Sequence, residues 1–154
     1  MELREAKDRA ETLLKEFGVW DSGWRVVFDN AVRRAGMCNY TRRVVSLSRH
    51  MVRMNGWDEV GKTVRHEIAH ALTGPGHHHD RLWRQYAQQV GAPVRATYPL
   101  GSKAMPDGRW QATCGCAGKV HHRHRRPSAR RRMWCLTCGE SVEFRDVAAA
   151  GQPA

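Results

Sequence analysis

Nothing in this chain approaches the run of ~20 apolar residues needed to cross a bilayer. Its start, Met1-Glu2-Leu3-Arg4-Glu5, also lacks the apolar stretch of a signal peptide. A cytoplasmic location without a membrane partner is therefore expected. The 154 residues include five cysteines. In a reducing compartment these are not expected to form disulfides, so close pairs of them point to a metal. Acidic residues are also few, 15 against 26 Lys and Arg, for a formal net charge of +11. That excess suits phosphate-bearing or acidic partners. No internal repeat is visible, which argues against a solenoid. The length suffices for one modest core and a small metal-stapled module.

What is present is concentrated in His66-Glu67-Ile68-Ala69-His70. Positions i and i+4 share a helix face, so both imidazoles can reach one metal ion. Glu67 lies about 100° around from His66, within reach of a water at that metal. Zinc lowers the pKa of such a water toward roughly 7, and the carboxylate can take its proton and pass it to a leaving amine. The bland reading is an amphipathic helix that carries two histidines.

A catalytic zinc needs a third protein ligand and an open fourth position. Gly74-Pro75-Gly76 must end the helix, because Pro cannot extend it and Gly supplies the turn. His77-His78-His79 follows, and any of the three could close the coordination sphere. The metzincin pattern wants Gly at position 73 and His at position 76. Thr73 and Gly76 stand there, so that family does not fit. His79 is the better candidate, because it opens a helical pattern with Leu82, Trp83, Tyr86, Ala87 and Val90 on its apolar side.

The block HEIAHAL, a Gly-rich turn and His79-Asp80-x-x-Trp83 resembles the SprT-like (Spartan-type) zinc metalloprotease family. In that family the third ligand is a His followed four residues later by a large aromatic. The usual form has Gly and Pro after that His, where this chain has Asp80 and Arg81. Upstream, Trp24–Phe28, Ala35-Gly36-Met37-Cys38 and Arg43–Ser48 resemble the family's strand, Gly-containing turn, and strand ending in Leu-Ser. The resemblance spans roughly residues 20–145. It implies His66, His70 and His79 as zinc ligands, Glu67 as general base, and protein bound or crosslinked to DNA as substrate.

Elsewhere, Leu3, Ala6, Ala10, Leu13, Leu14 and Phe17 repeat at helical spacing up to Gly18. Trp24, Val26 and Phe28 alternate as a strand. Val44, Val45 and Leu47 give a second strand after a turn at Tyr40–Arg43. Asp58 can cap the helix carrying Val60, Val64, Ile68 and Leu72. Cys38 reads as a small core residue.

A second metal module is written in Cys114-Gly115-Cys116, eighteen intervening residues, and Cys135-Leu136-Thr137-Cys138-Gly139. Two close pairs of thiolates suit a closed tetrahedral zinc site, and His121 or His122 could stand in for one cysteine. The family resemblance includes a C-terminal zinc ribbon. Between the pairs, residues 119–132 carry seven basic side chains and no acid: Lys119, Arg123, Arg125, Arg126, Arg130, Arg131 and Arg132. Residues 101–154 hold net +6, against +5 for residues 1–100. This is the footprint of phosphate binding, and Trp110 and Trp134, which flank the zinc module, could stack on exposed bases or form its miniature core. No reading helix is visible, so backbone binding of DNA without sequence preference is expected, single strands included.

The expected fold class is α+β. A small HExxH zincin-like metalloprotease domain at 1–98 is joined by a linker at 99–108 to a zinc ribbon with its basic loop at 109–145, and a disordered tail follows at 146–154. The expected function is a DNA-associated metallopeptidase with two zinc ions, one catalytic and one structural. The alternatives are a non-catalytic zinc-ribbon DNA-binding protein, or a metallopeptidase whose basic tail binds RNA or an acidic protein.

Overall fold

The computed structural model describes residues 1–94, 104–116 and 119–148. The chain forms two compact units, Met1–Pro106 and Asp107–Ala154. The first begins with α1 (Leu3–Glu16), which buries Ala6, Ala10, Leu13 and Leu14 along one stripe. Three strands follow: β1 (Arg25–Asp29), β2 (Gly36–Asn39) and β3 (Val44–Ser48). Their order is β1-β3-β2, with β1 parallel and β2 antiparallel to β3. β3 is therefore central and β2 is an edge. Val45 and Leu47 of β3 point into the core, while Ser46 and Ser48 bond to Asp29 and to the Ala31 carbonyl.

Among the described residues of this unit, three helices follow: α2 (Arg49–Met54), α3 (Trp57–Thr73) and α4 (Arg81–Gln89). α3 packs against α1, α4 and the sheet. Val60, Val64 and Ile68 of α3 and Trp83 of α4 are fully buried, in one cluster with Leu14, Val45, Leu47 and Met51. Burial of such side chains stabilises by roughly 1.5–3 kcal/mol each.

Ala35–Cys38, read as a Gly-containing turn, runs into strand β2, because pairing with β3 fixes Gly36 opposite Leu47. Asp58 does not cap α3. Gly56 is the N-cap, and Asp58 and Glu59 sit in the first turn, where a carboxylate still favours the helix dipole. α4 does not open at His79. Asp80 caps it, so the helix starts at Arg81. Leu82, expected on the apolar side, is 39% exposed, and Trp83 takes the inward position.

The second unit holds β4 (Trp110–Thr113), β5 (Val120–Arg123), β6 (Met133–Trp134), β7 (Ser141–Val142) and β8 (Arg145–Asp146). β5-β4-β8 form one antiparallel sheet and β6-β7 a hairpin. Among the described residues, its buried cluster is Ala112, Cys135 and Val142, with Cys114, Cys116, Met133 and Phe144 packed against it. The expected tail at 146–154 does not begin as a tail. Asp146 pairs with Trp110 in the sheet and binds Arg109, and the Val147 N–H donates to the Arg109 carbonyl. Residues 149–154 lie outside the described residues. Of the expected linker, 99–103 lie outside them too. Ala104 is bonded twice to the Asn55 side chain, and Met105 packs on the core of the first unit.

Candidate metal centre

The 3.6-residue period of α3 puts His66 and His70 on one side of the helix and turns Glu67 toward β2. Gly74 then stops the helix with φ 89°, and Gly76 follows with φ 90°. This reversal brings the chain back over the α3 face. His79 has φ 56°, a left-handed conformation that costs a non-glycine residue roughly 1 kcal/mol. It stays there because the Gly turn precedes it and the Asp80 cap follows it. His79 Nε2 lies 3.0 Å from His66 Nε2 and 3.1 Å from His70 Nε2.

Three ring nitrogens thus converge. Around a tetrahedral zinc with Zn–N of about 2.0–2.1 Å, ligand nitrogens stand about 3.3 Å apart, so the donor set fits such an ion. Burial, with His79 and His78 nearby, pushes the His70 imidazole down to about 4. Burial, with His78 and Arg84, also lowers His79 below its ordinary value. Both rings are therefore neutral at pH 7, the form a metal binds. Trp83 floors the cluster, with its ring centroid 4.3, 4.9 and 5.3 Å from those of His79, His66 and His70. The other two histidines of the run stand apart from this trio. His77 Nδ1 bonds Asp80 Oδ2 at 2.6 Å, and His78 is exposed at the rim of the cleft.

An open cleft of about 310 Å³ runs along the cluster, lined by Gly36, Met37, Cys38, Tyr40, His66, Glu67 and His70 among others. Glu67 is only 7% exposed. The Tyr40 hydroxyl donates to the His70 carbonyl at 3.2 Å. Burial and the nearby Glu67 carboxylate push the Cys38 thiol up to about 12, so it stays protonated. Cys38 does pack on the core, as expected, but it also walls this cleft. Sequence reasoning did not assign Gly36, Cys38 or Tyr40 to the site. A glycine inside a strand, a sign of close approach by another element, was the available signal.

In the second unit, ligand atoms of Cys114, Cys116, Cys135 and Cys138 all lie within 4.8 Å of one another. The Cys116 and Cys135 sulfurs are 3.8 Å apart, too long for a disulfide. It is the spacing that Zn–S bonds of about 2.3 Å give in a tetrahedron, so this donor set also fits zinc. The backbone N–H groups of Cys138 and Thr137 pull Cys135 down to about 5. His121 Nε2 approaches Cys114 Sγ at 3.4 Å, whereas His122 faces Asp107 at 3.7 Å. Of the two histidines, His121 is the one beside the sulfurs.

The basic residues do not all gather. Arg126, Arg131 and Arg132 line a cleft of about 590 Å³ with Trp110, Met133 and Phe144. The Arg126 guanidinium lies 5.5 Å from the Trp110 ring centroid. Lys119 instead bonds Thr137 Oγ1 at 2.6 Å, and Arg123, Arg125 and Arg130 are exposed outside the cleft. Trp134 is 56% exposed.

No curated protein matches the chain. The family model for the SprT-like family matches residues 7–103, a span that includes β2, the HEIAH helix and His79. More than half of the sequence falls within that match, and on this ground the chain belongs to the SprT-like family.

Proposed function

We propose that this chain is a DNA-associated zinc metallopeptidase that hydrolyses peptide bonds, with proteins bound or crosslinked to DNA as its substrates. The observation that carries the reading is the convergence of His66, His70 and His79 beside the buried Glu67 in an open cleft. In this reading the three imidazoles hold the catalytic zinc. Bound there, zinc would polarise the scissile carbonyl and lower the pKa of the attacking water. Glu67 takes the proton from that water and returns it to the leaving amine. Trp83 keeps the three rings in place from below.

The cysteine cluster holds a second, structural zinc and makes the second unit a zinc ribbon. The metal supplies stability that the small buried cluster of this unit cannot. The arginine-lined cleft beside Trp110 suits phosphates and an exposed base together, which favours DNA with single-stranded character over an acidic protein. Phosphate contacts without a reading helix imply no sequence preference.

Cleavage of casein or of a DNA-bound protein, with and without single-stranded DNA, tests the reading in wild type and Glu67→Gln. Wild-type cleavage stimulated by DNA, and its loss in the variant, is expected. Cleavage that ignores DNA supports the variant reading with an RNA or acidic-protein partner. No cleavage in wild type favours a binding module.

A further inference from the structure

We infer that Gly36 is a positioning residue for Glu67, acting through the absence of a side chain. The inference rests on the proposed role of Glu67 as proton acceptor and names what holds its carboxylate in place. Gly36 opens β2, paired to Leu47 of β3, and β2 lies against α3. Its φ is not positive, so its backbone asks for no glycine. Room does. A Cβ at Gly36 would stand 2.8 Å from Thr63 Cγ2, 2.9 Å from Glu67 Oε1 and 3.0 Å from Glu67 Cγ. Carbon atoms in contact ordinarily sit about 3.5–4.0 Å apart.

Thr63 and Glu67 are one helical turn apart, so a single α3 face presses both onto this point. They are 2% and 7% exposed. Something must yield to an added methyl, and the candidates differ in stiffness. β2 cannot easily retreat, because the Ser48 N–H holds the Ala35 carbonyl at 2.8 Å beside the Gly36–Leu47 pair. Thr63 is β-branched, and its hydroxyl donates to the Glu59 carbonyl at 3.2 Å, which restrains its χ1. The Glu67 side chain has three rotatable bonds and borders the open cleft. It is the group that moves. The three atoms nearest the added methyl belong to Thr63 and Glu67, and none belongs to a histidine. The bare strand at Gly36 therefore acts as a wall that sets where the carboxylate rests relative to the three imidazoles.

Gly36→Ala, Glu67→Ala and the double variant form a thermal-unfolding cycle that needs no activity. Gly36→Ala should lower Tm, and the double variant should recover most of that loss, because truncation of Glu67 removes its clash. An equal loss of Tm in both backgrounds overturns the inference. Should Gly36→Ala fail to fold, a folded double variant supports the inference and an unfolded one overturns it. On a peptide substrate, Gly36→Ala should keep KM and zinc content and lose kcat by roughly tenfold or more, as sub-ångström misplacement does. Thr63→Ser added to Gly36→Ala should regain at most a minor part of the Tm and none of the kcat. Wild-type kcat in Gly36→Ala, or its return with Thr63→Ser, overturns the inference. If the wild type cleaves nothing, the proposed function fails while the thermal cycle still decides the role of Gly36.

Discussion

Asp80 Oδ1 accepts a hydrogen bond from the Trp83 backbone N–H at 2.9 Å, and that bond sets the start of α4 directly after His79. The second oxygen of the same carboxylate holds His77 Nδ1 at 2.6 Å, away from the three converged imidazoles. A capping aspartate thus fixes the turn between His79 and α4 in this chain. Asp80→Ala should weaken zinc binding at this site by roughly tenfold, the scale of losing a group that orients a ligand. Asp80→Asn, which keeps an oxygen for the cap, should stay near wild type. Competition with a chromogenic chelator measures both.

Two zinc ions per chain are expected by elemental analysis. The ion at His66, His70 and His79 should leave first under mild chelation, since three protein groups hold it and the cleft is open. His79→Ala should lose that ion, while His77→Ala and His78→Ala keep it. Full occupancy in His79→Ala would mean that another histidine of the run is the ligand.

The elements legible in the sequence are those whose burial is periodic. α1 shows its stripe at Ala6, Ala10, Leu13 and Leu14, and α3 shows its own at Val60, Val64 and Ile68. β1 and β3 are rich in Val, Phe and Leu. β2 is Gly36-Met37-Cys38-Asn39, four residues with weak strand preference, and only pairing with β3 makes it a strand. α2 is six residues long, shorter than any window in which helical period is measurable. Its Ser48 cap, which accepts from the Met51 N–H at 3.2 Å, was hidden as the last residue of a strand. At the site, the i, i+4 histidines could be read directly, because both lie on one helix. The approach of Gly36 to Glu67 could not, because it depends on how β2 packs against α3.

Asp29 gives the first unit an acid-sensitive latch. Its carboxylate accepts from the Ser46 hydroxyl, from the Ala31 N–H at 2.8 Å and from Arg34 at 2.7 Å. Burial pushes its pKa up, but these partners outweigh burial and hold it below its ordinary 3.8. A lowered folded pKa means stability that is present above the unfolded value and lost as pH falls through the folded one. The latch should therefore be intact at pH 5–8, and its contribution should fall as pH drops below 3.8 toward the lowered folded value. Asp29→Asn should cost about 1–3 kcal/mol at neutral pH. It should also flatten the fall of Tm below pH 4, which thermal scans across pH will reveal.

The arginines can be tested apart from the chemistry, because the basic run lies in the second compact unit and the Glu67 cleft in the first. Replacing Arg125, Arg126, Arg130, Arg131 and Arg132 with Gln removes five charges and no proposed metal ligand. If these residues meet phosphates, DNA affinity falls and its salt dependence flattens. Each lost contact lowers the slope of log K against log salt by roughly 0.7 on single strands or 0.9 on duplex. The loss should be nearly the same for different DNA sequences, because phosphate contacts carry no base information. Arg126, Arg131 and Arg132, which line the cleft beside Trp110, should account for more of it than Arg125 and Arg130. Zinc content and cleavage of a free peptide should hold, while cleavage of DNA-bound protein drops with the affinity. Equal loss on both substrates would mean that the run supports the fold or the first unit's chemistry. Unchanged DNA binding would leave it a solvated surface.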